Sequence, residues 1–365
     1  MDTYSQIDAP NYDPRLPLQR ANLFYSIQIF VFAIICLALL YAPNTWLLKI
    51  SKIKPSRTDR TGIGFSFAVR VSFALLLWYI VHCLITLGNK DLQDSCQFKI
   101  HSLFLSFHET FLTGIIFGCL FIPEDFVLVF FKISIFLSAI FLIFQFFTLH
   151  DMFDKINSKF YSEEKIVLPI IILILLSGFS ISFFVISLIY FNCSESRWVA
   201  GMNLSLCIII LIASIFIENQ SVITASMISA YVSFITVTAL MVDYDCCSLS
   251  HKAITIIFQV SAALFLLTFI IWNSFSLTGQ INLLTCSDMD ENKFSLSYFH
   301  FVFIFASCYI LMLVTNWGDP DGSHFYNKGT TTWIKWTNVA VTWIIISLYI
   351  WSFFAKKCCT DRDFD

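Results

Sequence analysis

Ten stretches of nearly unbroken apolar residues divide the chain, at 23–41, 65–87, 102–121, 126–149, 166–191, 198–217, 222–242, 253–272, 298–314 and 333–354. Each reaches the roughly 17 to 25 residues needed to cross about 30 Å of hydrocarbon. Uniformly apolar runs of this length predict helices, because a helix satisfies every backbone donor and acceptor internally where lipid offers no partner. They are too long, and alternate too little, for barrel strands. The expectation is an all-α polytopic membrane protein whose ten transmembrane helices occupy 23–354, flanked by polar tails at 1–22 and 355–365.

The fourth stretch runs on beyond membrane length. No Gly or Pro lies between Pro123 and Pro169. A helix from Phe126 to about Tyr161 would be on the order of 50 Å long at about 1.5 Å per residue. Either it is tilted, or its polar second part, 151–165, leaves the bilayer.

Composition narrows the classes. Of 365 residues 58% are hydrophobic, 41 are Phe, and 13% are charged, about half the usual share. A net charge of −3 gives no basic surface for nucleic acid. The first 22 residues are polar and the first apolar run is too long for a cleavable signal peptide, so that run is expected to remain as a span. The links between spans are short, which places any chemistry in the bundle or at its faces.

An even span count puts both termini on one side. Eleven Lys and Arg fall on that side and eight on the other, five of the eight in the single loop 49–60. This small bias points to cytosolic termini, and cysteine placement points the same way. Cys193 follows the fifth span, Cys246 and Cys247 follow the seventh, and both loops share one face. Disulfides persist on the lumenal or extracellular side, so Cys193 is expected to bond Cys246 or Cys247; three free thiols are the alternative. Asn192, in the sequon Asn192-Cys193-Ser194, is a glycosylation candidate on the same loop. Cys358 and Cys359, beside Lys356 and Lys357, form a juxtamembrane palmitoylation candidate. Cys36, Cys83, Cys119, Cys207 and Cys308 lie inside spans and are expected to pack as small apolar side chains.

Polar side chains within spans are costly and usually face the protein interior or a wet cavity. Those of this chain are Arg70, His82, His108, Glu109, Lys132, Gln145, Asn203, Gln259 and Lys335. Arg70, Lys132 and Lys335 lie near span ends, where long side chains can snorkel to the interface. His108 and Glu109 lie deeper.

Catalytic signatures are missing. His108-Glu109 begins like a zinc-protease motif, but Leu112 stands where the second His of H-E-x-x-H is needed. No phosphate-binding G-x-x-x-x-G-K-[ST] loop occurs. The pairs Asp243/Asp245 and Asp319/Asp321 read as solvated turns. No nucleophile, metal site or cofactor is assigned.

Three blocks of residues resemble the serine incorporator (Serinc/TMS) membrane protein family. The first is Phe299-His300, Ala306-Ser307, Tyr309-Ile310, Met312, Thr315, Trp317, Pro320-Asp321, Trp333, Lys335, Trp343, Leu348-Tyr349, Trp351 and Arg362-Asp363-Phe364. The second is His101, Gly114, Gly118, Ile122-Pro123, Gln145, Asp151 and Asn157; the third is Cys193, Asn203-Leu204, Ile228, Tyr231, Thr236 and Ala239. The chain departs from the family pattern at Val237, Thr224 and Lys132, lacks the usual Cys-rich stretch before the first span, and has a shorter loop before the ninth. It resembles a divergent, minimal member.

The resemblance implies two helix bundles separated by a long diagonal helix. It also implies a role in membrane lipids: ATP-independent phospholipid scrambling, support of phosphatidylserine and sphingolipid synthesis, or both. Membrane phospholipids are then the expected partners, and the plasma membrane or an endomembrane the expected location; protein partners and self-association stay open. A scrambling path needs a polar groove between helices, and His108, Glu109, Gln145 and Asn203 are its expected lining. The competing readings are a proton-coupled small-solute transporter that uses the intramembrane His and Glu, and a structural membrane protein without activity.

Overall fold

The computed structural model describes residues 15–41, 60–87, 96–102, 105–162, 167–217, 221–243, 246, 252–275, 296–318 and 328–358. These form eleven α-helices: α1 (Arg15–Tyr41), α2 (Arg60–Ile85), α3 (Cys96–Ser102), α4 (Leu105–Cys119), α5 (Glu124–Ser162), α6 (Val167–Tyr190), α7 (Ser194–Phe216), α8 (Val222–Met241), α9 (Lys252–Phe275), α10 (Leu296–Val314) and α11 (Lys328–Cys358). Among the described residues eight helices are long and apolar enough to cross a membrane, and nine spans result if α3 and α4 count as one.

That count differs from ten in two places. The expected third span is broken: α3 and α4 meet at a bend of 76°. The expected eighth, 253–272, lies within α9, a helix of 24 residues whose side chains are described only from Val260 to Trp272, which is why it is outside that count. α1 also begins at Arg15, ahead of the expected start at residue 23.

α5 is 39 residues long, about 58 Å at about 1.5 Å per residue. It starts directly after Pro123, with Glu124 and Asp125 in a first turn whose exposed N–H groups favour negative charge. Buried positions continue from Val127 to Met152, and the turns beyond are largely exposed. On one side α5 packs against α2, α9 and α10, which assemble with α1 and α4; on the other it packs against α8 and α11, which assemble with α6 and α7. The chain is therefore two bundles with α5 between them.

Each bundle has its own way of closing. In the second, α8 is 89% buried along its apolar window. Its Ala225, Ser226, Ser229, Ala230, Ser233 and Ala239 let neighbouring helices come close, and van der Waals packing of this kind drives helix association in lipid. In the first, α2 and α10 are the most intimate pair, tied where Ser72 Oγ donates to the Ser307 carbonyl at 2.7 Å.

Candidate functional site

His108 and Glu109 sit in the first turns of α4 and face different ways, as neighbours about 100° apart on a helix must. His108 is buried, whereas Glu109 is half-buried. Glu109 Oε1 accepts from Gln28 Nε2 at 2.9 Å, and Gln28 Oε1 accepts from the Tyr79 hydroxyl at 3.1 Å. On a different face of α4 from Glu109 lies an open apolar groove of about 320 Å³, lined by Phe107, Thr110, Phe111, Gly114 and Ile115.

Inward, His108 joins a cluster built by five helices. His82 of α2 lies 4.9 Å, ring centroid to ring centroid, from both His108 and His300 of α10. His101 of α3 is 5.0 Å from His300 by the same measure, with Nδ1 2.9 Å from His300 Nε2. Tyr25 of α1 stands among all four rings, and its hydroxyl is 2.9 Å from His108 Nδ1 and 3.3 Å from the His101 carbonyl. Asn22 Oδ1 is 3.1 Å from His101 Nε2.

Gln145 and Asn203 lie elsewhere. Gln145, on α5, accepts through Oε1 from the Tyr231 hydroxyl of α8 at 2.9 Å. Asn203, on α7, donates to Thr236 Oγ1 at 2.8 Å and Thr342 Oγ1 at 3.1 Å, and accepts from Trp343 Nε1 at 3.1 Å. Both are fully buried braces of the second bundle. The four expected lining residues thus occupy two places, one in each bundle.

The span-end cations also divide. Lys132 is exposed, but Arg70 and Lys335 are buried and paired rather than snorkelling. Arg70 bonds Glu124, Ser66 and the Ile122 carbonyl, and Lys335 Nζ is 2.8 Å from Asp243 Oδ2 and 3.4 Å from Glu195 Oε2. Inward pairing wins because the turn before α5 and the helix ends beside α11 supply acceptors that a lipid-facing side chain would lack.

Cys193 is bonded to Cys246, with Cα atoms 5.2 Å apart. The exposed Asn192 is tied to the same point, its N–H donating to the Cys246 carbonyl at 2.8 Å. Cys247, Cys359 and the Cys358 side chain lie outside the described residues, as does the Gln259 side chain. Cys36, Cys119, Cys207 and Cys308 are free and buried, and Cys83 is half-buried. Among the described residues no group of three or more His, Cys, Asp or Glu is arranged to hold a metal ion.

The residue pattern singled out His82 and His108 but not their partners on α1. Asn22, Tyr25 and Gln28 recur at about one helical turn, a polar stripe opening an apolar helix, which is the pattern of a face turned to a polar interior.

Comparison with known proteins points to one family. The family model for serine incorporator (Serinc) matches residues 18–294 and 285–362. A probable serine incorporator of Nematostella vectensis is 25% identical, the alignment covering 85% of this chain and 82% of that protein. Serine incorporator 3 of Mus musculus is 22% identical over 87% of this chain and 84% of its own length. Serine incorporator 5 of Macaca fascicularis is 23% identical over 86% and 91%.

Proposed function

The chain belongs to the serine incorporator family, and from that premise we propose that it handles membrane phospholipids without chemistry of its own, passing them between leaflets without ATP, supporting synthesis of phosphatidylserine and sphingolipids, or both. The observation that carries this reading is the placement of Glu109. A carboxylate half-buried on an apolar helix and held by Gln28, on a helix whose other face carries an open apolar groove, places charge and oil on one element of the bundle. An intramembrane carboxylate is costly enough to suggest use. In this reading both termini are cytosolic and the Cys193–Cys246 face is lumenal or extracellular, in the plasma membrane or an endomembrane.

The test is reconstitution into liposomes carrying a fluorescent phospholipid, with a membrane-impermeant quencher reporting transfer. Flipping without ATP or a proton gradient is expected. A charge-assisted hydrogen bond contributes about 1.5 to 3 kcal/mol, so Glu109→Leu should slow flipping by about tenfold or more. No flipping, with solute uptake that follows a proton gradient, would instead establish the transporter reading.

A further inference from the structure

The four histidines do more than fill space, because their hydrogen bonds run in one direction and stop. Asn22 presents a carbonyl oxygen to His101 Nε2, so that nitrogen carries the hydrogen. His101 Nδ1 is then an acceptor, and His300 Nε2 must donate to it across 2.9 Å. This leaves His300 Nδ1 as a bare lone pair, and it has no partner. His82 Nδ1 is likewise buried without a partner, so two open imidazole nitrogens share one cluster. Buried polar atoms left open call for a small occupant.

We propose that the His82, His101, His108 and His300 centre is a proton-binding site, uncharged while the first bundle is packed and loaded when α3 and α4 part from α1 and α10. The groups facing it are Tyr25 from α1, Tyr79 and His82 from α2, His101 from α3, His108 from α4 and His300 from α10. Among the described residues no carboxylate and no Lys or Arg is bonded to any of the four rings. Glu109 is linked through Gln28 and Tyr79 and acts electrostatically on Tyr25, and Lys99 of α3 is exposed. An added proton therefore meets no directly bonded counter-charge in the packed state, and its charge favours a state in which water reaches the rings.

The bond chain names the step that releases the packing. A first proton on His300 Nδ1 leaves the His300 to His101 bond intact. A second, on His101 Nδ1, sets two N–H groups against each other where one donor met one acceptor. His101 is the member of α3 that hydrogen-bonds α1 and α10, so losing this contact leaves α3 held there by Phe98 packed with Leu18 and Leu296 and loosens it. In the open state a hydrated imidazole titrates near its ordinary pKa of about 6.5, so lowering pH from about 7.5 to 5.5 multiplies the open-to-packed ratio about tenfold for each histidine that gains a proton.

The site does not depend on lipid transfer, and neither does its test. Backbone hydrogen exchange would be followed on the full chain in nanodiscs at several pH values, with labelling times corrected for the intrinsic pH dependence of exchange. Protection of residues 96–119 is expected to fall at least about tenfold from pH 7.5 to 5.5 while α6 to α8 stay unchanged. The His101→Gln/His300→Gln double variant, which removes the pair that carries the release step, should lose most of that response. Protection independent of pH in the wild type, or an equal response in the double variant, would overturn the proposal. Should that variant not fold, exchange at the imidazole C2 positions of the wild type decides: His101 and His300 titrating together support the site, and neither titrating between about pH 4.5 and 7.5 overturns it.

Discussion

Arg70 Nη2 lies 3.1 Å from Glu124 Oε2, across 54 residues of sequence, and the Arg70 side chain is 1% exposed. The same guanidinium donates to the Ile122 carbonyl at 2.8 Å, so one side chain of α2 holds the turn from which α5 starts. Breaking a buried pair from one side leaves an uncompensated charge and costs about 3 to 5 kcal/mol. Arg70→Met is therefore expected to lower thermal stability sharply, and Arg70→Met/Glu124→Gln less than the sum of the two single changes. Unfolding followed in detergent checks this, and strict additivity would mean that the pair does not act as a unit.

The bond between Cys193 and Cys246 closes a loop of sequence separation 53 around α7 and α8. In the chain-entropy account a loop of this size corresponds to about 4 kcal/mol, with about 2 to 4 typical of measured bridges. Cys193→Ser and Cys246→Ser should each reduce stability by a similar amount, while Cys247→Ser changes it little. Non-reducing peptide mapping should find Cys193 joined to Cys246; Cys193 joined to Cys247 would contradict the pairing.

These two contacts show what a reader of the residues alone can and cannot obtain. α5 was legible because Pro123 and Pro169 bound a stretch without Gly or Pro. The bridge was legible to within one residue, because loop order places the three cysteines on one face. The 76° bend between α3 and α4 was not, since no Gly or Pro lies between Cys96 and Thr113. The break there goes with tertiary contacts, His101 being held by Asn22 and His300 from two other helices. Arg70 misled for a related reason: position near a span end is local, but its acceptors come from a distant turn. Within the candidate site, Glu109 and His108 were legible as intramembrane polar residues, whereas the separation of Gln145 and Asn203 depends on which bundle each helix joins.

Asn203 is expected to behave as a brace. Asn203→Leu removes bonds to Thr236, Thr342 and Trp343, of which the two threonines keep backbone acceptors on their own helices. The remaining orphan is Trp343 Nε1, so the loss should be about 1 to 2 kcal/mol, within the range for polar contacts between membrane helices. Thermal unfolding measures the cost, and lipid flipping per folded molecule should stay within about twofold of wild type. A large fall in flipping with little loss of stability would move Asn203 from brace to path.

The two partners of Lys335 should contribute unequally. Glu195 is 67% exposed and 3.4 Å from Nζ, whereas Asp243 is 22% exposed and 2.8 Å away. An exposed pair contributes about 0 to 1 kcal/mol, since solvent screens it, so Glu195→Gln should be nearly silent. Asp243→Ala removes the near acceptor, leaving the buried ammonium with the distant, screened carboxylate and the Trp336 ring, and should cost more, about 1 to 3 kcal/mol as for a charged group that loses its hydrogen bond. High salt separates the two further, because it weakens the exposed arm and leaves the sheltered one. Unfolding of the two variants at low and high ionic strength checks the ranking, and equal losses would show that the Lys335 ammonium is wetter than its burial indicates.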